Sequence, residues 1–495
     1  MESFRLCLGN LSLLNKKVSI PAYDRGALSP SIIHIGLGNF HRAHQAAYLD
    51  ELLEKGIERQ GIFGINLLPG SFPLGDILGE QDHLYSLVTK SPAGEEKIRV
   101  MGSILGCMDG AANMEEAIQC MADSKTSLIT MTITEKGYYF DKKSGECDSS
   151  EAAVQEDLSQ RERPKTAAAV LARALSVRYK NGMKPLTIMS CDNIPSNGKT
   201  LKKCVLFFCR ELYPEIVRWV EDEAGFPCSM VDRITPVTTP GLVSEIEERY
   251  GIADRWPVCC EDFRQWVLEG DFRTQVPKYE EAGVQIVKDA EPYELMKMRL
   301  LNGSHSAMAY LSYLLGCRMV DEGIGHPLVN AFIRNHYMEE VTPTLKEVPG
   351  IDLNVYKDTL ISRFSNKNTG DRILRLASEG TSKIPNFTLK PLSEGIQQGR
   401  PCEAIIFALA AWARFLEGKD EQGLPIPIED SGGPIIVEAA LSAMDKPEAF
   451  LLAAGLQGLS AAQLKAAGDS LKSSLGAIRA RGTKQALEEF LHLHV

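Results

Sequence analysis

The chain has 495 residues, which is more than a single hydrophobic core usually organises, so at least two domains are expected. Hydrophobic residues make up 44% of it and charged residues 24%, the proportions of an ordinary soluble globular protein. The formal net charge of −11 argues against a nucleic-acid partner and against binding to an anionic membrane surface.

The twelve cysteines are scattered along the chain and include no Cys-x-x-Cys pair. This spacing argues against a zinc site and a disulfide framework, and free thiols suit a reducing cytosol. Residues 1–17 lack the apolar core of a signal peptide, and the most apolar run, 404–416, is interrupted by Arg414 and too short to cross a bilayer. We therefore expect a cytoplasmic protein without a membrane partner.

A strand, a tight turn and a helix-forming run follow an extended leader of about 30 residues in which residues 18–20 suggest a short strand. In this context a Gly-x-Gly turn binds a dinucleotide, because backbone amides and the helix amino end face the pyrophosphate. The fingerprint is incomplete, since its third glycine position is a histidine, and a metal site at His41-x-x-His44 is the weaker alternative. The predicted cofactor-binding residues are Ile35, Gly36, Leu37, Gly38, Asn39, Phe40, His41 and Arg42.

The second predicted strand, residues 61–66, should end near the adenosine ribose of that cofactor. An NAD enzyme usually offers Asp or Glu there, but residues 67–71 read LLPGS and no acid occurs before Asp76. No Arg or Lys follows nearby to take a 2′-phosphate. The choice between NAD and NADP therefore stays open.

Further strands and helices alternate as in an α/β domain. The predicted strands are 97–100, 127–134 and 186–190, with helices at 113–121 and 166–179 between them. The last two strands end in polar residues, where a doubly wound sheet places its ligands. Asn193, after the last of them, is either such a ligand-binding residue or an ordinary turn residue.

The strand pattern nearly vanishes beyond residue 292. Mixed signals precede that point, with a short strand at 230–236 and a segment around Trp266 at 258–267. Apolar residues then recur at helical spacings in residues 294–315, 404–416, 436–455 and 475–491. The sequence therefore predicts an α/β fold in which a Rossmann-type dinucleotide-binding domain, residues 1–288 with an amino-terminal extension, precedes a mostly α-helical domain, residues 289–495.

The first helix of the second domain carries a cluster of polar side chains on one face. On a helical wheel with Lys297 at 0° and a step of about 100° per residue, Glu294 falls at ~60°, His305 at ~80° and Asn302 at ~140°. A lysine on an apolar wall is partly desolvated, which lowers its pKa and suits it to act as a general base toward an alcohol. The alternative is a solvated helix face with Gly303 packed beneath it.

Eight short motifs are distributed along the chain. They are GLGNFHRAHQ (36–45), TEKGY (134–138), SCDN (190–193), MVDRITP (230–236), FRQWV (263–267), KMRLLNGSH (297–305), RFSN (363–366) and GTSKIP (380–385). In these motifs the chain resembles the polyol-specific long-chain dehydrogenases and reductases, the family that includes mannitol 2-dehydrogenase and fructuronate reductase. The resemblance covers most of the length.

The resemblance implies roles for individual residues. Lys297 matches the family's general base, and Asn193 and Asn302 match two carboxamides that hydrogen-bond the reacting oxygen. His305 matches a histidine that positions the substrate, and Glu294 either relays the proton to solvent or neutralises the lysine. Substrate-binding positions match Asp232, Arg375 and Lys383, of which the last two could instead be ordinary solvated cations.

The activity that the resemblance implies is a reversible, NAD(P)-dependent and metal-independent oxidation of a polyol to a ketose, D-mannitol to D-fructose, by a monomer. Reduction of fructuronate or tagaturonate and oxidation of D-arabinitol are the alternatives within the family. A uronate would need a cation, and Arg299 is a candidate, but its helical-wheel angle of about 200° points it away from the others. A catalytically silent nucleotide-binding protein is the alternative from another class.

Overall fold

The protein consists of two compact units, Met1–Glu291 and Pro292–Val495. The computed structural model describes residues 3–70, 73–141 and 145–493. Ser71, the last residue of the run expected near the ribose, lies outside the described residues.

A five-stranded parallel sheet forms the centre of the first unit. Its strands are β1 (Ser29–Ile35), β2 (Gln60–Asn66), β3 (Ile104–Asp109), β4 (Leu128–Met131) and β5 (Thr187–Ser190). They lie in the order β5-β4-β1-β2-β3, and Ile33 of the central strand faces Phe63 on one side and Ile129 on the other. The chain direction across the sheet reverses beside β1, the topology of a dinucleotide-binding half. This confirms the predicted Rossmann-type domain.

Helices cover both faces of this sheet because its strands are apolar on both sides. Ile33 and Ile35 belong to one buried cluster, whereas Ile32 and Leu128 belong to another on the opposite face. The helices of this unit are Asn39–Ala43, Gln45–Glu54, Pro73–Glu80, Met114–Ala122, Ala152–Ser159, Ala167–Lys180, Asn197–Leu212, Val217–Glu223 and Pro240–Tyr250.

Smaller sheets flank the parallel one. Two have three strands: Val258–Glu261 with Tyr85–Lys90 and Glu96–Met101, and Ser229–Asp232 with Gln265–Glu269 and Gln285–Val287. Two-stranded pairs join Phe4–Arg5 to Ile252–Ala253 and Phe140–Asp141 to Glu146–Cys147. Short 3₁₀ turns occupy Leu8–Leu13, Arg25–Ala27, Glu135–Tyr138, Pro214–Ile216 and Tyr279–Ala282.

Two details of the strand prediction are wrong. The strand at 97–100 pairs antiparallel with Tyr85–Lys90 and lies outside the parallel sheet, whose third strand is Ile104–Asp109. The expected strand near 18–20 is one bridge between Ser19 and Arg99. In each case the local pattern identified an extended segment but could not choose its partner.

The second unit is helical, and its described residues contain no β-strand beyond isolated bridges. Its helices are Glu291–Met296 (beginning at the last residue of the first unit), Lys297–Asn302, Gly303–Leu314, Val320–Gly325, Pro327–Phe332, Ile333–Tyr337, Met338–Val341, Leu353–Phe364, Ile373–Ala377, Gly380–Ile384, Pro385–Leu389, Lys390–Gln397, Glu403–Leu416, Gly433–Leu441, Pro447–Ala453 and Ala461–Leu493, with 3₁₀ turns at Thr342–Thr344 and Lys367–Thr369. Lys297–Asn302, Ile333–Tyr337 and Pro385–Leu389 are π-helical. The predicted helical domain is confirmed.

The helix Glu403–Leu416 is buried along most of its length, with Trp412 fully buried. The run at 436–455 forms two helices instead of one, and Ala461–Leu493 is interrupted at Gly482, where φ is +81°. Among the described residues, no helix is both long and apolar enough to span a bilayer.

Candidate functional site

The glycine turn follows β1 directly and is closely packed against the strand beside it. Gly36 has φ +91°, and a Cβ there would lie 2.2 Å from the carbonyl oxygen of Thr132. The Leu37 amide donates to Oδ1 of Asn66 at 2.8 Å, which fixes the turn to the end of β2. At Gly38 the nearest atom to a Cβ would be the Gly36 oxygen at 3.8 Å, so this side of the turn is open. A strand, a turn of this form and a helix fit the pyrophosphate of a dinucleotide.

The predicted cofactor residues divide into an accessible and a buried group. Gly36, Gly38, Asn39 and Phe40 are partly exposed, whereas Ile35, Leu37, His41 and Arg42 are buried. The Arg42 guanidinium donates to the Trp256 oxygen and to Oδ1 of Asn39, both at 2.6 Å, so it supports the turn from below.

Three buried histidines, His34, His41 and His44, flank the turn along the chain. The rings of His34 and His41 stack with centroids 3.4 Å apart, and His34 contacts the Thr130 hydroxyl at 2.8 Å. His44 Nε2 lies 2.9 Å from the Gln265 backbone oxygen, and His44 Nδ1 accepts from the side-chain amide of Gln45 at 3.1 Å. Burial lowers the pKa of His34 and of His44 to about 3, so both rings are neutral. The described residues contain no group of three or more His, Cys, Asp or Glu side chains arranged to hold a metal ion.

The polar ends of β4 and β5 lie side by side. Asp192 accepts hydrogen bonds from the backbone amides of Ile133 and Thr134, and its neighbour Asn193 is exposed. Burial raises the pKa of Asp192, although the Tyr138 hydroxyl and the two amides act in the opposite direction. Asp232 is buried at the end of the strand Ser229–Asp232.

The Lys297 helix, defined as the continuous run Glu291–Leu314, changes to π-helical geometry at Lys297–Asn302. A π-helix bonds residue i to i+5, so its turn is wider and the step of about 100° used for the wheel does not hold there. Lys297 and Glu294 are buried, with 4% and 6% of their surface exposed, while Asn302 is half-buried. Single π-helical turns inside α-helices occur frequently at functional sites.

Gly303 shows why this helix can approach its neighbours closely. A Cβ there would lie 2.7 Å from the Tyr337 hydroxyl and 3.1 Å from the Phe387 oxygen, which belong to the other two π-helical segments. Gly303 therefore serves helix packing, as the alternative interpretation expected. The same helix also carries the polar residues Lys297 and His305.

His305 is buried one turn beyond the π-helical segment. Its ring lies 4.4 Å from that of Phe364, and its Nε2 has no hydrogen-bond partner within the described part of the chain. Burial lowers the pKa of His305 well below the ordinary value, and the charges of Arg375, Arg363, Lys383 and Lys297 lower it further. The imidazole is therefore neutral, with an unsatisfied polar atom available to a ligand hydroxyl.

Arg375 and Lys383 are both held by protein groups. Arg375 forms a two-bond ion pair with Asp371 at 2.6 and 2.5 Å. Lys383 Nζ donates to the backbone oxygens of Ser378 at 2.6 Å and Leu376 at 3.2 Å. Burial, followed by the charge of Arg375, lowers the pKa of Lys383 to about 8. Lys383 is therefore partly buried, whereas 44% of the Arg375 side-chain surface remains exposed to solvent.

A cavity of about 260 Å³ adjoins Arg375. It is lined by Leu374, Arg375, Ala377, Ser378, Phe415, Pro427 and Glu429.

Arg299, the candidate partner of a uronate carboxylate, is held elsewhere. It is 4% exposed and donates two hydrogen bonds to the Glu394 carboxylate, at 2.6 and 2.8 Å, and a third to the Thr344 oxygen. Its charge is therefore already compensated.

Two residues with a part in this cluster received no role from the sequence. Asp371 fixes Arg375, but it lies two residues before the helix Ile373–Ala377, so the helical rule for charges four residues apart did not identify the pair. Arg363 contributes charge around His305 and lies in the RFSN motif, but nothing local indicated which side chain it would face.

Comparison with known proteins gives two family-model matches. Residues 30–281 match the mannitol dehydrogenase Rossmann domain, and residues 289–469 match the mannitol dehydrogenase C-terminal domain. Mannitol 2-dehydrogenase of Phaeosphaeria nodorum is 38% identical over 485 residues, covering 97% of this chain and 84% of that protein. Mannitol 2-dehydrogenase of Aspergillus fumigatus is 40% identical over 420 residues, covering 83% and 84%.

Two solved structures are similar over nearly the full length. Pseudomonas fluorescens mannitol 2-dehydrogenase, in a ternary complex with NAD and D-mannitol, is 36% identical with a TM-score of 0.92, covering 99% of this chain and 100% of that one. D-sorbitol dehydrogenase in substrate-free form is 34% identical with a TM-score of 0.86, covering 98% and 100%.

Proposed function

Because the chain belongs to the mannitol dehydrogenase family, we propose that it catalyses the reversible, NAD-dependent oxidation of D-mannitol to D-fructose. The observation that carries the proposal is the similarity to the Pseudomonas fluorescens enzyme, whose structure contains both NAD and D-mannitol. Residues 1–288 are the NAD(P)-binding domain with an amino-terminal extension, and residues 289–495 are the helical substrate domain. The protein is a cytoplasmic monomer and has no nucleic-acid or membrane partner.

Lys297 is the general base that removes the hydroxyl proton. It is buried on a helix, and a desolvated amine gives up its own proton more readily than an exposed one. Glu294, one turn earlier and equally buried, relays the proton to solvent. Bound NAD supplies the hydride acceptor for the carbinol carbon, and no metal ion takes part.

The carboxamides of Asn193 and Asn302 donate hydrogen bonds to the reacting oxygen as it gains charge. Donors held at a developing oxyanion act mainly on the transition state. Neutral His305 contacts the substrate through its Nε2, which has no hydrogen-bond partner among the described residues. Asp232, Arg375 and Lys383 bind the remaining hydroxyls, and the Asp371 ion pair fixes the orientation of Arg375.

Steady-state kinetics with several substrates test the proposal. We expect turnover of mannitol and of fructose, with weaker turnover of arabinitol and none of fructuronate, because Arg299 is paired with Glu394. Faster reduction of fructuronate would replace the mannitol assignment by the uronate alternative. Absence of activity on every polyol and ketose, with NADH still bound, would indicate a silent nucleotide-binding protein.

Alanine at Asn302 should lower kcat for mannitol about 100-fold and change KM little, since one oxyanion donor typically contributes about 3 kcal/mol to the transition state. The control is Asn354→Ala, which removes an exposed carboxamide of the same unit. Asn193→Ala should have a similar effect, and the double variant should lose less than the product of the two, because the donors act on one oxygen. Full kcat in Asn302→Ala would exclude the residue from this role.

The end of β2 predicts that NADP is accepted as well. Asn66 ends the strand with its Oδ1 bonded to the Leu37 amide, and the run that follows, in which Leu68 is 71% exposed, has no acid before Asp76. We expect kcat/KM for NAD to exceed that for NADP by less than about 100-fold, short of the 10⁴–10⁵ reached by sites built to hydrogen-bond a hydroxyl. Asn66→Asp keeps the acceptor for Leu37 and should increase the preference for NAD; an unchanged ratio would contradict this explanation.

A further inference from the structure

Thr134 has a backbone conformation that threonine rarely adopts. Its φ is +63° and its ψ is 164°, a region populated almost only by glycine. A β-branched side chain in this region is a strong outlier, because Cβ crowds the adjacent backbone. Such strain persists only where surrounding groups impose it, and it clusters at functional sites.

The side chain that imposes this conformation is Asp192. Its Oδ1 accepts from the Thr134 amide at 2.9 Å, and its Oδ2 accepts from the Ile133 amide at 3.1 Å. Oδ2 also accepts from the Tyr138 hydroxyl at 2.6 Å. One buried carboxylate thus binds the strained residue itself, the residue before it and a residue four positions later.

The strained segment is packed against the glycine turn. Besides the close approach of Gly36 to the Thr132 carbonyl, the Thr132 hydroxyl donates to the Gly36 oxygen at 2.9 Å. The segment follows β4 and the turn follows β1, the two neighbouring strands between which the chain direction across the sheet reverses. In open α/β sheets the dinucleotide binds in the crevice at this point.

We propose that Asp192 is a positioning residue for dinucleotide binding: by holding Ile133 and Thr134 in their strained conformation it shapes the wall of the crevice that faces the Gly36 turn. Tyr138 buttresses the carboxylate and does not itself hold the segment. The inference rests on the proposed function, because it requires that the crevice bind NAD.

Removing one of the two backbone acceptors is the direct test. In Asp192→Asn, the amide group must face either the Ile133 or the Thr134 N–H, so one backbone donor loses its acceptor. The dissociation constant of NADH, measured by fluorescence on the full chain, should rise about tenfold or more, the equivalent of one lost hydrogen bond to a charged acceptor. Tyr138→Phe leaves both backbone bonds in place and should keep the dissociation constant within about threefold.

A second variant distinguishes positioning from general stabilisation. Glycine adopts the observed φ and ψ of residue 134 without strain, so Thr134→Gly should lessen the need for the carboxylate. We expect Asp192→Asn combined with Thr134→Gly to recover most of the lost affinity for NADH. If Asp192→Asn acted only by lowering stability, adding Thr134→Gly would not selectively restore NADH binding.

The outcomes are distinguishable. Folded Asp192→Asn protein that binds NADH like the wild type overturns the inference, as does a double variant that binds no better than Asp192→Asn. If Asp192→Asn does not fold, the double variant decides: binding close to that of Thr134→Gly supports the inference, and an unfolded or non-binding double variant overturns it. A wild-type chain that binds no NADH overturns the proposed function itself, and this inference with it.

Discussion

Replacing Lys297 by alanine should lower kcat for mannitol oxidation by about 10²–10⁴-fold, the usual contribution of a positioned general base. The lysine is 4% exposed on a helix of the second unit, whereas the glycine turn lies in the first. Its proposed partner is the substrate hydroxyl and not the dinucleotide, so the dissociation constant of NADH should stay near the wild-type value. Stopped-flow measurement of NADH formation in a single turnover separates this chemical step from product release.

Two further variants identify the base as such. Lys297→Arg keeps the positive charge but cannot be deprotonated, so it should be as inactive as Lys297→Ala. Methylamine should restore part of the activity of the alanine variant, because it is a base small enough to enter the vacated space. Lys357→Ala, the control, removes a buried lysine paired with Glu339 and should leave kcat unchanged. Substantial turnover by Lys297→Arg without added amine would assign the lysine an electrostatic role.

The parallel sheet was predictable because its signal is local. Each of β1, β2, β4 and β5 is a short run of buried, mostly apolar residues that ends near Gly or a polar turn, and helical runs separate them. The strand Ile104–Asp109 was missed because it follows Glu96–Met101 after only two residues. No helical run between the two indicated that one of them leaves the parallel sheet.

The predicted site was limited by what periodicity can describe. It correctly indicated a helix carrying Lys297 and His305, but a regular wheel contains no π-helical turn, and residues 297–302 form one. The partners of Arg375 and Lys383 depend on side-chain packing. In particular, Lys383 reaches back to the carboxyl end of the helix Ile373–Ala377, and no spacing rule describes that contact. The strain at Thr134 likewise depends on Asp192, which lies 58 residues later.

Gly36→Ala should destabilise the first unit by about 2–4 kcal/mol and abolish measurable NADH binding. The new Cβ would lie 2.2 Å from the Thr132 oxygen at a φ of +91°, and both the clash and the strain involve backbone that cannot move aside. Gly38→Ala is the matched control, because its φ is −143° and its Cβ would meet nothing closer than 3.8 Å. Thermal unfolding of Gly38→Ala should equal that of the wild type, while its NADH affinity falls, since the second glycine of the turn allows the pyrophosphate to approach the backbone. Equal NADH affinity in Gly38→Ala and the wild type would mean that the dinucleotide does not lie on this turn.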